Sequence, residues 1–280
     1  MKSLPGYLLL LLLITGNGCG DEETPVSGNG NVSGGIVVYG DTRTNHQDHR
    51  NVVAAIMRTE PEVVFHTGDL VENGLAPEQW VIFGRITDRM RREAEFFPAI
   101  GNHENDSDLY FDNFDLPNNE RWYSVRRNGI QFLVLDSCSG IETGSEQYQW
   151  LEEQLKNSAA PYIAAVFHHP PYSTGPHGED EMNLRESIVP LFEQYGVDVV
   201  FNGHDHAYER SLKGGVYYIV AGGGGAPLYG QQRESEYSQV FRSIHHFCLI
   251  SAGTDSMVVT ARDTMGVVFD RFAVAAADKE

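Results

Sequence analysis

Five short apolar runs in this chain end in residues able to hold a metal. They are Gly40-Asp41, Gly68-Asp69, Gly101-Asn102-His103-Glu104, His168-His169-Pro170-Pro171 and Gly203-His204-Asp205-His206. Carboxylates, an amide oxygen and several imidazoles make a mixed nitrogen and oxygen donor set without thiolate. Such a set suits Zn, Mn or Fe, and is too rich in nitrogen for Ca or Mg. One ion cannot easily use all these groups, whereas two ions sharing a carboxylate can. Singly, a Gly-Asp or an Asn-His is an ordinary turn. Gly-His-Asp-His says more, because side chains two residues apart point the same way from a strand end. Five such motifs in order, each closing a strand-like run, point to one site.

The elements that must position these residues alternate. Ile36–Tyr39, Val63–His66, Phe96–Ile100, Ile163–Phe167 and Val197–Phe201 read as buried strands. Helical spacing occurs over 48–58, after Pro77, over Glu146–Lys156 and over 183–195. Asn128-Gly129 between Trp122–Val125 and Ile130–Leu135 predicts a hairpin. Beyond residue 206 the pattern reads as β-hairpins at Tyr217–Val220, His245–Ile250, Met257–Ala261 and Val267–Phe272. Ala221–Ala226, with four glycines, reads as a flexible loop near the site. This is one α/β domain, in which ligands bind at the carboxyl ends of the strands.

Composition narrows the classes. The chain has 280 residues, 41% hydrophobic, with 39 acidic and 20 basic side chains and a net charge of -19. It is too apolar for global disorder, and too acidic for nucleic acid as a stable partner, which needs a basic stripe. Three Cys cannot build a disulfide scaffold; Cys138 and Cys248 either pair or serve as small buried apolar groups. The 11 His are the surplus that needs a use.

The first residues read as an address. Lys2, the apolar run Leu8–Ile14 and the small residues near position 18 form a signal peptide over 1–18. Cys19 resembles a lipoprotein junction, although Gly16 stands where Leu is usual. The chain is therefore expected to be exported, periplasmic or anchored, touching membrane only through lipid on Cys19. Residues 19–35 are expected to form a flexible tether, 36–274 the domain, and 275–280 a tail.

The motif set resembles the calcineurin-like metallophosphoesterases, and within them the purple acid phosphatases. The resemblance covers about residues 36–272, with Leu135-Asp136-Ser137 and the run from Gly203 to Arg210 most like that branch. It implies a four-layer αββα sandwich and two metal ions (Fe, Zn or Mn). It implies Asp69 as bridge, Asp41 and His206 on the first ion, and Asn102, His168 and His204 on the second. His168 is preferred to His169 because the family's ligand lies two residues before the Pro. His103 and His177 are implied as catalytic groups, with Glu104 or another carboxylate orienting His103. Arg43 is a candidate phosphate clamp, or else a surface partner of Asp48.

Two positions depart from the pattern. The purple branch has Tyr where this chain has Glu72, which predicts a colourless protein, and other branches have His where it has Arg43. Glu72, His46, His49 or water are the candidates to complete the first ion. The implied reaction is attack of a metal-activated hydroxide on a small phosphate monoester. Rival readings are a phosphodiesterase or nucleotidase on the same site, and a non-catalytic metal-dependent binding protein.

Overall fold

The computed structural model describes residues 35–276. The expected signal peptide, Cys19, nearly all of the expected tether and most of the expected tail lie outside the described residues. Within them, β1 (Ile36–Tyr39), β2 (Val63–His66) and β3 (Glu95–Pro98) alternate with α1 (His46–Met57) and α2 (Pro77–Glu93). A single 3₁₀ turn, Asn102–Glu104, and α3 (Asp108–Asn113) lead to the hairpin β4 (Tyr123–Arg127) and β5 (Ile130–Val134). Then come α4 (Glu146–Lys156), β6 (Tyr162–Val166), α5 (Val189–Tyr195) and β7 (Val199–Asn202). The chain closes with β8 (Tyr208–Lys213), β9 (Val216–Ala221), β10 (Ser238–Arg242), β11 (His246–Ala252), β12 (Ser256–Asp263) and β13 (Val268–Ala275).

Two sheets result, ordered β13-β12-β11-β1-β2-β3 and β10-β8-β9-β7-β6-β5-β4. β1, β2 and β3 run parallel, as do β5, β6, β7 and β9. Their sequences are apolar on both faces because both faces are covered. In β1, Ile36 and Val38 face the second sheet, while Val37 and Tyr39 face Val52 and Ile56 of α1. In β6, Ala164 and Val166 face inward, while Ile163 and Ala165 pack on Leu151 of α4 and Phe192 of α5. The Phe65 and Phe132 rings stack 4.1 Å apart across the gap between the sheets. The layers are therefore helix, sheet, sheet, helix, which is the αββα sandwich.

Three details differ from the sequence reading. The helix expected over 183–195 starts only at Val189, since Asn183 is left-handed (φ 54°) and Asp180 accepts from Leu184 N and Arg185 N in a turn. Pro190, in the first turn, suits a helix start rather than its interior. The C-terminal strands form hairpins as expected, β8 with β9 and β11 through β13, but they also complete the two sheets: β9 joins β7 in parallel and β11 lies antiparallel beside β1. Residues 222–226 are buried, with Gly224 N on the Gly40 carbonyl (2.8 Å) and Ala226 N on the Asp41 carbonyl (2.9 Å), so this loop is packed, not loose. Cys138 and Cys248 are both unpaired. No helix among the described residues is long and apolar enough to cross a membrane.

Candidate metal centre

The two sheets bring their strand ends to one edge. Asp41, Asp69 and His204 all adopt left-handed backbone (φ 58°, 55° and 69°). Each costs about 1–3 kcal/mol for a side chain other than Gly, and such strain gathers at functional sites. The backbone is held there from several sides. Asp41 N donates to the Gly68 carbonyl (3.1 Å), Thr42 N to the Asp69 carbonyl (3.0 Å), and Gly203 N to the His168 carbonyl (2.9 Å). His66, without a role in the sequence reading, ties these loops together: Gly68 N donates to its Nδ1, and its Nε2 donates to Thr42 Oγ1. Gly68 has φ +97°, and a Cβ there would lie 2.8 Å from His168 Nδ1. That position requires glycine.

Four acceptor atoms converge at the second ion position. His168 Nδ1 lies 3.0 Å from the Thr67 carbonyl and so carries the hydrogen, leaving the Nε2 lone pair free. His204 Nε2 lies 3.0 Å from a Glu181 carboxylate oxygen and likewise donates, leaving Nδ1 free. Those free atoms, His168 Nε2 and His204 Nδ1, sit 3.2 Å apart. Asn102 Oδ1 is 2.9 and 3.1 Å from them, and Asp69 Oδ1 is 3.4 Å from His168 Nε2. Burial first, then neighbouring imidazoles, hold the His204 pKa down at about 3 and that of His168 well below its usual value. Lone pairs facing lone pairs in a buried site call for a cation. These residues fit a metal ion.

The first ion position is different. Asp41 and His206 are there, with His206 Nε2 3.7 Å from Asp41 Oδ1. His206 Nδ1 donates to the Pro227 carbonyl (2.8 Å), so Nε2 again offers its lone pair. That lone pair meets Arg43 Nη2 at 3.4 Å. Arg43 Nε lies 3.3 Å from Asp69 Oδ2, and Nη1 donates to Glu72 at 2.7 Å. A guanidinium therefore stands among the groups that were to hold the first ion. Asp41, Asp69 and His168 do offer ligand atoms within 4.8 Å of one another, but Asp69 and His168 are shared with the position already described. The groups left over, Asp41 and His206, do not fit a second metal alongside the guanidinium.

A model of the calcineurin-like phosphoesterases matches residues 35–208, which include all five motifs. The chain belongs to this family. Purple acid phosphatase 15 of Arabidopsis thaliana is 28% identical over 249 residues, covering 72% of this chain and 47% of that protein. Probable purple acid phosphatase 20 of the same plant is 31% identical over 219 residues, covering 68% and 51%. The chain thus spans about half the length of these relatives. Among solved structures, purple acid phosphatase PPD1 from yellow lupin seeds superposes with a TM-score of 0.79 at 20% identity. That match covers 88% of this chain and 54% of the lupin chain, and shows the shared fold.

The other residues singled out by the sequence lie around this centre in different ways. His103 Nδ1 donates to the Glu72 carbonyl (2.7 Å), and its Nε2 is 3.9 Å from Asp69 Oδ2. Glu104 does not orient that ring, contrary to expectation. It is fully buried and accepts from Gly101 N, Asp69 N, Leu70 N and Val71 N, pinning both loops. His177 lies at the rim, its ring 4.2 Å from that of His204 and its Nδ1 2.8 Å from Asp205 Oδ1. Arg43 does not pair with Asp48, whose carboxylate instead faces His245 Nε2 at 3.2 Å. His49 is not on a solvated helix face; it is buried, stacked on Phe83 and close to Tyr39. His169, set aside on spacing, joins His168 and His204 in a group whose ligand atoms all lie within 4.8 Å. Sequence reasoning missed Glu181 and the Asp205 link to His177. Asp205 had a signal, lying between two ligand-type His on a turn; Glu181 had none.

Proposed function

We propose that the protein is a metal-dependent phosphoesterase acting on small phosphate monoesters. The observation that carries this reading is the convergence of Asn102 Oδ1, His168 Nε2 and His204 Nδ1, with every other ring nitrogen already committed. A metal bound there supplies Lewis acidity toward a phosphoryl oxygen and toward water. The chain's own groups do the rest. Arg43 is almost wholly enclosed and offers planar N–H donors to a phosphoryl group. His177, whose Nδ1–H is held by Asp205, keeps a proton at the rim for a departing ester oxygen. His103, fixed through the Glu72 carbonyl, sets its Nε2 3.9 Å from Asp69 Oδ2.

The resemblance implies two ions, whereas the residues that converge here, Asn102, His168 and His204, fit one. Export, with lipid on Cys19, rests on residues 1–19 alone. The net charge of -19 repels anionic esters at long range, so affinity comes from the bound cation and Arg43. The test is hydrolysis of p-nitrophenyl phosphate against its bis ester by protein reconstituted with Zn, Mn or Fe. Monoester turnover that disappears in His168→Ala is expected. Equal or faster turnover of the diester overturns the monoester assignment, and no turnover of either ester by metal-loaded protein overturns the enzyme reading.

A further inference from the structure

Two departures from the family pattern, at positions 43 and 72, turn out to be each other's partners. Arg43 Nη1 and Glu72 Oε2 are 2.7 Å apart. At each of these positions the resemblance leads one to expect a ligand for the first ion, Tyr at 72 or His at 43. Here they form a cation and an anion that complete each other. The guanidinium also lies against the groups left over: Asp69 Oδ2 is 3.3 Å from Nε as an ion pair without a hydrogen bond, and the His206 Nε2 lone pair is 3.4 Å from Nη2. Arg43 is only 13% exposed, and its loop is fixed by Thr42, which binds Leu70 through its hydroxyl and Asp69 through its backbone. Its direction is set by the fold rather than by solvent.

The placement of charge, though not its sum, fits the same account, since Arg43 and Glu72 together are neutral. A metal at the first position would neutralise Asp41 and the outer oxygen of Asp69. Arg43 supplies one permanent positive charge at that place, while Glu72 is the extra carboxylate that keeps a guanidinium paired. A guanidinium stays charged in proteins, and Glu72 lies against this one at 2.7 Å. We infer that Arg43 is a built-in cation standing in for the first metal ion, so that this protein works with one metal. The inference builds on the phosphoesterase reading, although the metal count stands apart from turnover. His206 then positions Arg43 instead of binding metal. A guanidinium cannot activate water, but it can hold two phosphoryl oxygens at once.

Metal content of the full chain tests this. Protein is saturated with Mn²⁺ or Zn²⁺, freed of excess, and assayed by elemental analysis, with the Mn²⁺ form examined by electron paramagnetic resonance. One equivalent and an uncoupled Mn²⁺ spectrum are expected. His206→Ala should keep that equivalent, His168→Ala should lose it, and Arg43→His should admit a second. Two equivalents in the unaltered protein, loss of the ion in His206→Ala, or a folded Arg43→His that still holds one would each overturn the inference. If Arg43→His does not fold, the unaltered protein and His206→Ala decide the matter. One equivalent without hydrolysis of any ester would sink the phosphoesterase reading and leave the metal count intact.

Discussion

His168 Nε2 and His204 Nδ1 face each other at 3.2 Å while their other ring nitrogens donate to the Thr67 carbonyl and the Glu181 carboxylate. Neither ring can turn a hydrogen toward the other without giving up one of these bonds. The metal-free fold therefore carries an uncompensated contact that a cation removes. Binding linkage gives about 2.7 kcal/mol of added stability when free metal is a hundredfold above Kd. Thermal unfolding should thus shift upward with added Zn²⁺ or Mn²⁺ and back with a chelator. The shift should vanish in Asn102→Ala and His168→Ala; a full shift in either would remove these residues from the ligand set.

Glu181 reaches His204 from a loop outside the regular elements, and its side chain is about half exposed. By accepting from Nε2 it fixes the tautomer that leaves Nδ1 free. Losing an outer partner of this kind typically weakens metal binding about 10- to 100-fold. Glu181→Gln can present its NH₂ to the ring as readily as its oxygen, and so no longer dictates the tautomer. A competition titration against a chromogenic chelator should show weaker binding with an unchanged melting temperature of the metal-free protein. Unchanged affinity would leave Glu181 as a surface contact.

Glu104 accepts four backbone N–H groups from the loops after β2 and β3, at 2.7 to 3.4 Å. Glu104→Gln turns one acceptor into a donor facing donors. An unsatisfied buried polar group costs about 1–3 kcal/mol. Urea unfolding should show a loss of that size. Because Asp69 sits on one of these loops, metal affinity should fall as well; a variant of full stability would show that the carboxylate is dispensable.

The fold and the ligand types were readable because their signals are local. Ile36-Val37-Val38-Tyr39 is apolar throughout, since α1 covers one face and the second sheet the other. Gly68 is fixed by its own φ and by the closeness of His168. Other features were not readable. β8 contains Glu209, buried where Thr174 N and Oγ1 donate to it, so charge hides a strand. β10 lies at a sheet edge and is polar enough to pass for a loop. Arg43 looked like a surface residue or a phosphate clamp until folding brought Glu72, 29 residues away, to its guanidinium. Spacing along the chain carries no trace of such a pairing.

His177 and Asp205 give the last expectation, about pH. The hydrogen bond from His177 Nδ1 to Asp205, 2.8 Å long, is the main cause that raises the His177 pKa above its usual value, outweighing partial burial. Asp205 is depressed in turn: burial pushes its pKa up, but its bonds with His177 and Ser173 outweigh that. The folded pKa of His177 exceeds its unfolded one. Its contribution to stability is therefore complete below the unfolded pKa and is lost as pH rises through the folded value. If His177 supplies the proton to the leaving group, turnover follows the same limb and declines as that proton is lost. Asp205→Asn should move the limb to lower pH, and NMR titration of the His177 ring should show its pKa falling in parallel. A ring that titrates at the same pH in Asp205→Asn would break the link between the two residues. A shifted ring with an unmoved pH–rate profile would assign the proton to another group.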